Sequence, residues 1–96
     1  MVHIKLIEQV GSLAENKDYA KDIRLQKIIP ALEKGQEIIL DFEGIDSATQ
    51  SFIHSLISDL IRKYGTEILD KISFKSCNET IQKIINIVVD YMQESV

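Results

Sequence analysis

Residues 36–65, QEIILDFEGIDSATQSFIHSLISDLIRKYG, decide how the rest of the chain must be arranged. They open with Glu37-Ile38-Ile39-Leu40-Asp41-Phe42, nearly continuous in apolar residues and rich in β-branched ones. Such a run predicts a strand buried on both faces, the usual condition of a strand in a parallel sheet. Glu43-Gly44-Ile45-Asp46-Ser47 follows as a turn, with a glycine free to take positive φ and side chains able to bond nearby backbone. Phe52, Ile53, Leu56, Ile57, Leu60 and Ile61 then recur at the spacing of an amphipathic helix, and Gly65 stands where a helix-ending glycine belongs. Strand, tight turn and helix place the turn at the carboxyl end of the strand, where open α/β sheets carry their functional sites.

Upstream, Val2, Ile4 and Leu6 alternate with polar residues, which predicts a half-buried strand near a sheet edge. Asn16-Lys17-Asp18 offers helix caps for a segment running to about Lys34, with Gly35 ending it. Its apolar residues fall on two sides, Ala20 and Ile23 against Leu25, Ile28, Ile29 and Leu32. Pro30 is expected to kink or restart the helix, because it lacks an N–H and crowds the preceding turn. Downstream, residues 68–75 read as a third strand with Ile72 and Phe74 facing one way, and Asn78 caps a last helix carrying Ile81, Ile84, Ile85, Val88, Val89 and Met92. The order β-α-β-α-β-α with short connections predicts an α/β fold: a mainly parallel sheet of three to four strands with right-handed crossovers and helices packed on it.

Ninety-six residues make one domain, spanning 1–96. With 45% apolar and 27% charged residues the chain is neither disordered nor membranous, and no apolar run is long enough to span a bilayer. Charges interrupt the N-terminal residues, so no signal peptide is expected. A single cysteine fits a reducing compartment, and the predicted location is the cytoplasm. A formal charge of −4 argues against nonspecific nucleic-acid binding. The edge of the first strand invites pairing, so homodimerisation stays open.

The string Asp41-Phe42-Glu43-Gly44-Ile45 with Ser51-Phe52 beyond it resembles STAS domains, named for sulfate transporters and anti-sigma factor antagonists. It is closer still to the bacterial group of STAS-like domains of unknown function. The resemblance extends in layout over about residues 4–92, with Asp41, Phe42, Gly44 and Phe52 carrying the motif. In anti-sigma factor antagonists the same loop carries an Asp-Ser-Ser-Gly string, whose second serine is phosphorylated by a histidine-kinase-like ATPase. Counted from the shared Asp and Gly, that serine falls on Ser51, with Thr49 at the family's aspartate and Phe52 at its glycine. Both departures remove features a kinase would use: an orienting charge and room for close approach. The antagonists also place a hairpin strand before their first helix, and none is evident here.

Ser51 is therefore the phosphoacceptor candidate. A phosphate there would meet backbone N–H groups and the favourable end of a helix dipole. Against it, Ser47-Ala48-Thr49-Gln50 fits a capping box, which would start the helix at Ser47 and leave Ser51 an ordinary helical residue. The polar side of this helix displays Ser51, His54, Ser55, Ser58, Asp59 and Arg62, either a partner-facing surface or a solvated face. The expected docking surface comprises Gly44, Asp46, Ser47, Thr49, Gln50, Ser51, His54, Ser55 and Ser58.

Asp41, Glu43 and Asp46 cluster at the strand end, as in Mg²⁺ and acyl-phosphate sites. Receiver domains also need an acidic pair after the first strand and a lysine after a later one, and Glu8-Gln9 supplies a single carboxylate. Turn formation by Asp46 and exposure of Glu43 account for them without a metal. Cys77 precedes a helix, where a dipole can stabilise a thiolate, but no cysteine-hydrolase, P-loop, dinucleotide or zinc pattern accompanies it. The expectation is a non-enzymatic regulatory module without cofactor, docking to a kinase-type ATPase or another signalling protein. The alternatives are an antitoxin or immunity protein that occludes a toxin and, behind it, a small nucleotide-binding domain or enzyme.

Overall fold

The computed structural model describes residues 1–94. Three strands, β1 (Val2–Lys5), β3 (Ile38–Asp41) and β5 (Ile72–Lys75), form a parallel sheet in the order β1-β3-β5, so β3 is central and β1 lies at an edge. Register pairs Ile4 with Leu40 and Leu40 with Phe74, one row higher Lys5 with Asp41 and Asp41 with Lys75. This is the α/β architecture that the alternating elements predict.

The sheet has one covered face. Ile4, Ile38, Leu40 and Ile72 are buried, whereas His3, Lys5, Ser73 and Lys75, pointing the other way, are exposed. β3 therefore departs from the expected two-sided burial: Ile39 is only half-buried, flanked in register by His3 and Ser73. The helices pack on one another in the order α2 (Lys17–Ile23), α4 (Gln50–Tyr64), α5 (Glu79–Glu94), with the long α4 in the middle. Phe42, Phe52, Leu56, Ile57, Leu60 and Ile81 lie at the centre of the core.

Several boundaries move for physical reasons. The first strand stops at Lys5, because the chain turns into the short helix α1 (Ile7–Val10) after the buried Leu6. The third strand starts at Ile72, not 68: residues Thr66–Lys71 coil as a 3₁₀ segment that buries Ile68. A second, two-stranded sheet pairs β2 (Leu13–Ala14) in parallel with β4 (Ser47–Ala48). A short strand thus does precede the first long helix, but it pairs with the loop after β3 instead of closing a hairpin.

The irregular first helix is resolved by its middle. α2 passes into a π-helical turn, Arg24–Ile28, and then into α3 (Ile29–Glu33). The Ile29 N–H bonds to the Arg24 carbonyl five residues back, and Pro30 follows with no N–H of its own. The extra residue in that turn re-phases the helix. Ala20 and Ile23 before it, Ile28 at its end, and Ala31 and Leu32 after it are all buried, while Leu25 is left exposed. Pro30 restarts the helix as expected, in the first turn of α3, where a missing donor costs little.

Candidate functional site

The loop after β3 is held at both ends. At its start, the Asp41 carboxylate, 1% exposed, accepts from the Glu43 N–H at 2.9 Å and pairs with His3 Nε2 at 2.6 Å. These two hydrogen bonds, the backbone one foremost, hold the Asp41 carboxyl below its ordinary range despite burial, with help from the charges of His3 and Lys75. Gly44 follows at φ 83°, and a Cβ there would stand 2.5 Å from Ile7 Cδ1. The dihedral is what requires glycine, and with any larger residue the tip of the Ile7 side chain would also have to shift.

The second half of the loop is tied by its backbone. The Asp46 N–H donates to the Ser12 carbonyl, the Asp46 carbonyl accepts from the Asn78 side chain, and Ser47 sits in β4 opposite Leu13. Because Ser47 and Ala48 are spent in that strand, the helix cannot start at Ser47. The cap is Thr49, whose hydroxyl accepts from the Phe52 N–H at 3.1 Å. The capping-box alternative therefore falls, and Ser51 stands exposed in the first turn of α4 beside the exposed Gln50. Phe52 is fully buried, so the motif residues Phe42 and Phe52 belong to the core and not to the surface.

Beyond Ser51 the polar face of α4 meets α2. Between them runs an open groove of about 450 Å³, lined on the α4 side by Ser51, His54, Ser55, Asp59 and Arg62 and on the other by Lys17, Lys21 and Arg24. Arg24 is 7% exposed; its guanidinium donates to the Ser55 carbonyl and pairs with Asp59 at 3.1 Å. Ser55 Oγ donates to the Lys17 carbonyl at 3.2 Å, and Arg62 pairs with Asp59 at 3.2 Å. Among the described residues Lys17 and Lys21 take part in no ion pair.

Of the expected docking residues, Ser51, His54, Ser55 and Ser58 line this groove, while Gly44, Asp46, Ser47, Thr49 and Gln50 precede it in the loop and at the start of α4. Ser58 lies deepest in the groove lining, 2% exposed and hydrogen-bonded to His54 Nδ1 at 3.3 Å. His54 in turn lies against the Tyr91 ring of α5. What sequence reasoning missed is the other wall. Lys17, Lys21 and Arg24 follow one another at helical spacing, a basic stripe on one face of α2, but only the packing of α2 on α4 sets that stripe opposite Ser51 and Ser55. The pairing of His3 with Asp41 is likewise invisible in the sequence, since only strand pairing brings the two together.

The metal reading of Asp41, Glu43 and Asp46 finds no support in this arrangement: Asp41 is turned to His3 and the Glu43 N–H, and among the described residues no three acidic, histidine or cysteine side chains gather as ligands. At Cys77, burial pushes the thiol up and the Asp41 charge adds to it, the opposite of an activated nucleophile. No helix among the described residues is long and apolar enough to cross a membrane.

The profile of a family described as STAS-like domain of unknown function (DUF4325) matches residues 19–82, a stretch that holds most of α2, the central strand, the Gly44 loop, α4 and β5. The chain belongs to this family of STAS-like domains. No curated protein and no solved structure matches it.

Proposed function

We propose that the chain is a non-enzymatic regulatory module of the cytoplasm that docks to another protein through the Gly44–Ser51 loop and the polar face of α4. The partner class that the STAS likeness favours is a kinase-type ATPase or a signalling protein working with one. The observation that carries this reading is the position of Ser51: exposed, in the first turn of a helix, at the mouth of a groove formed by two helices. The loop leading to it is fixed from both ends by Asp41 and by β4, so the surface is preorganised and loses little entropy on docking.

Phosphorylation of Ser51 is part of the proposal. It would add about −1.5 to −2 charges beside Lys17, Lys21 and Arg24 without forcing any buried group to move. The test is affinity capture from lysate of the source cells with wild-type and Ser51→Glu baits, run with ATP and Mg²⁺ and read by mass spectrometry. One partner retained by wild type and lost from the glutamate bait is the expected result. A partner retained equally by both removes the phosphoswitch, and one retained equally by a bait carrying Gln50→Arg and His54→Arg removes the docking surface.

A further inference from the structure

The charge of the α2–α4 groove is opposite to that of the molecule. The chain carries a formal −4, yet four cationic side chains and one carboxylate line this groove. Elsewhere on the surface Lys63 pairs with Glu33, and within the groove Asp59 is shared between Arg24 and Arg62. Lys17 and Lys21, like several other lysines among the described residues, take part in no ion pair; what sets these two apart is that they stand one helical turn apart on one wall of the groove. Opposite them stand the Ser51 and Ser55 hydroxyls and the first turn of α4, whose amide end carries positive partial charge. Arg24 is held in the floor by the Ser55 carbonyl and Asp59, which fixes the spacing of the two walls.

From this charge pattern we infer that the groove seats an acidic segment of a protein partner, its carboxylates meeting Lys17 and Lys21. The inference rests on the docking reading and specifies its chemistry. An open trough of about 450 Å³ suits a short stretch of polypeptide. A nucleic acid is the poorer fit, because a long polyanion would also meet the field of the chain's fifteen acidic residues. The inference also gives regulation a sign. A phosphate on Ser51 would occupy the same cations and expel the acidic segment, so modification releases the partner.

The test uses fluorescence anisotropy with a labelled octaglutamate peptide, and as comparison an octaglutamine peptide and an eight-nucleotide oligothymidylate. The full chain is assayed as wild type, Lys17→Glu/Lys21→Glu, Lys17→Gln/Lys21→Gln, Ser51→Glu, and Lys71→Glu/Lys83→Glu as a charge-matched control outside the groove, each checked for folding by circular dichroism. Expected is salt-sensitive binding of octaglutamate, weakened at least about tenfold by either groove double variant and by much less in the control. Equal losses in groove and control variants, tighter binding of the oligonucleotide, or no peptide binding at low ionic strength would each overturn the inference. The same double variants serve as baits in the capture experiment. A Ser51-dependent partner that still binds Lys17→Glu/Lys21→Glu in full leaves the docking reading standing and removes the acidic segment.

Discussion

Asp41, a carboxylate at the end of the central strand, is buried and holds β1 and the following loop through His3 and the Glu43 N–H. Replacing it with alanine leaves a backbone donor and an imidazole without their acceptor and should cost about 1–3 kcal/mol of stability in denaturant titration. The pH dependence has a definite sign. A carboxyl whose folded-state pKa is lowered contributes stability that is present above its unfolded value, near 3.8, and is lost as pH falls through the folded value. The stability gap between wild type and Asp41→Asn should therefore shrink on acidification below about pH 4; a gap independent of pH across that range would contradict the assignment. Gly44 offers the second residue-scale test. Gly44→Ala meets both a positive φ and Ile7, and about 1–3 kcal/mol should be lost. The motif string announced Asp41 and Gly44 as special. It did not announce their neighbours, because His3 and Ile7 reach them only through strand pairing and the turn after β1.

At the scale of elements, the π turn converts an awkward sequence into one buried face. In a regular α-helix Ala20, Ile23, Ile28, Ala31 and Leu32 would spread over about 180° of the circumference, and absorbing one residue in the turn gathers them within about 100°. Two variants separate phasing from proline chemistry. Pro30→Ala alone should keep the turn and change stability by less than about 1 kcal/mol, since register and not the proline demands it. Deleting Leu25 in the Pro30→Ala background should give a continuous helix with the same faces buried, visible in amide exchange and in chemical shifts of residues 24–30. Arg24, which opens the turn, ties α2 to α4. Arg24→Met keeps much of the stem's packing but drops both charge contacts, and because Asp59 is half exposed the loss should be about 1–2 kcal/mol in thermal unfolding. Helix α4 was legible nearly to the residue at its end, where Gly65 takes φ 83°. Its start was not, because Ser47 and Ala48 can cap a helix or pair as a strand, and Leu13–Ala14 lies too far away in sequence to reveal which.

For the whole molecule, one layer of mutually packed helices on a three-stranded sheet leaves one sheet face and the β1 edge open. With α4 between α2 and α5, no part of the core is separable, so far-ultraviolet circular dichroism and tyrosine fluorescence should follow a single coincident unfolding transition. Non-coincident curves would mean that α2 or α5 opens independently. The fold class, its parallel sheet, the edge position of β1 and the restart at Pro30 follow from the sequence, because apolar period, glycine and proline act within a few residues of themselves. Which face of the sheet is covered, where α4 begins, what Asp41 binds, and that Lys17 and Lys21 stand across from Ser51 were decided only by tertiary structure. Those outcomes join segments about 30 to 40 residues apart, and no local propensity reports a contact that the packing of distant elements creates.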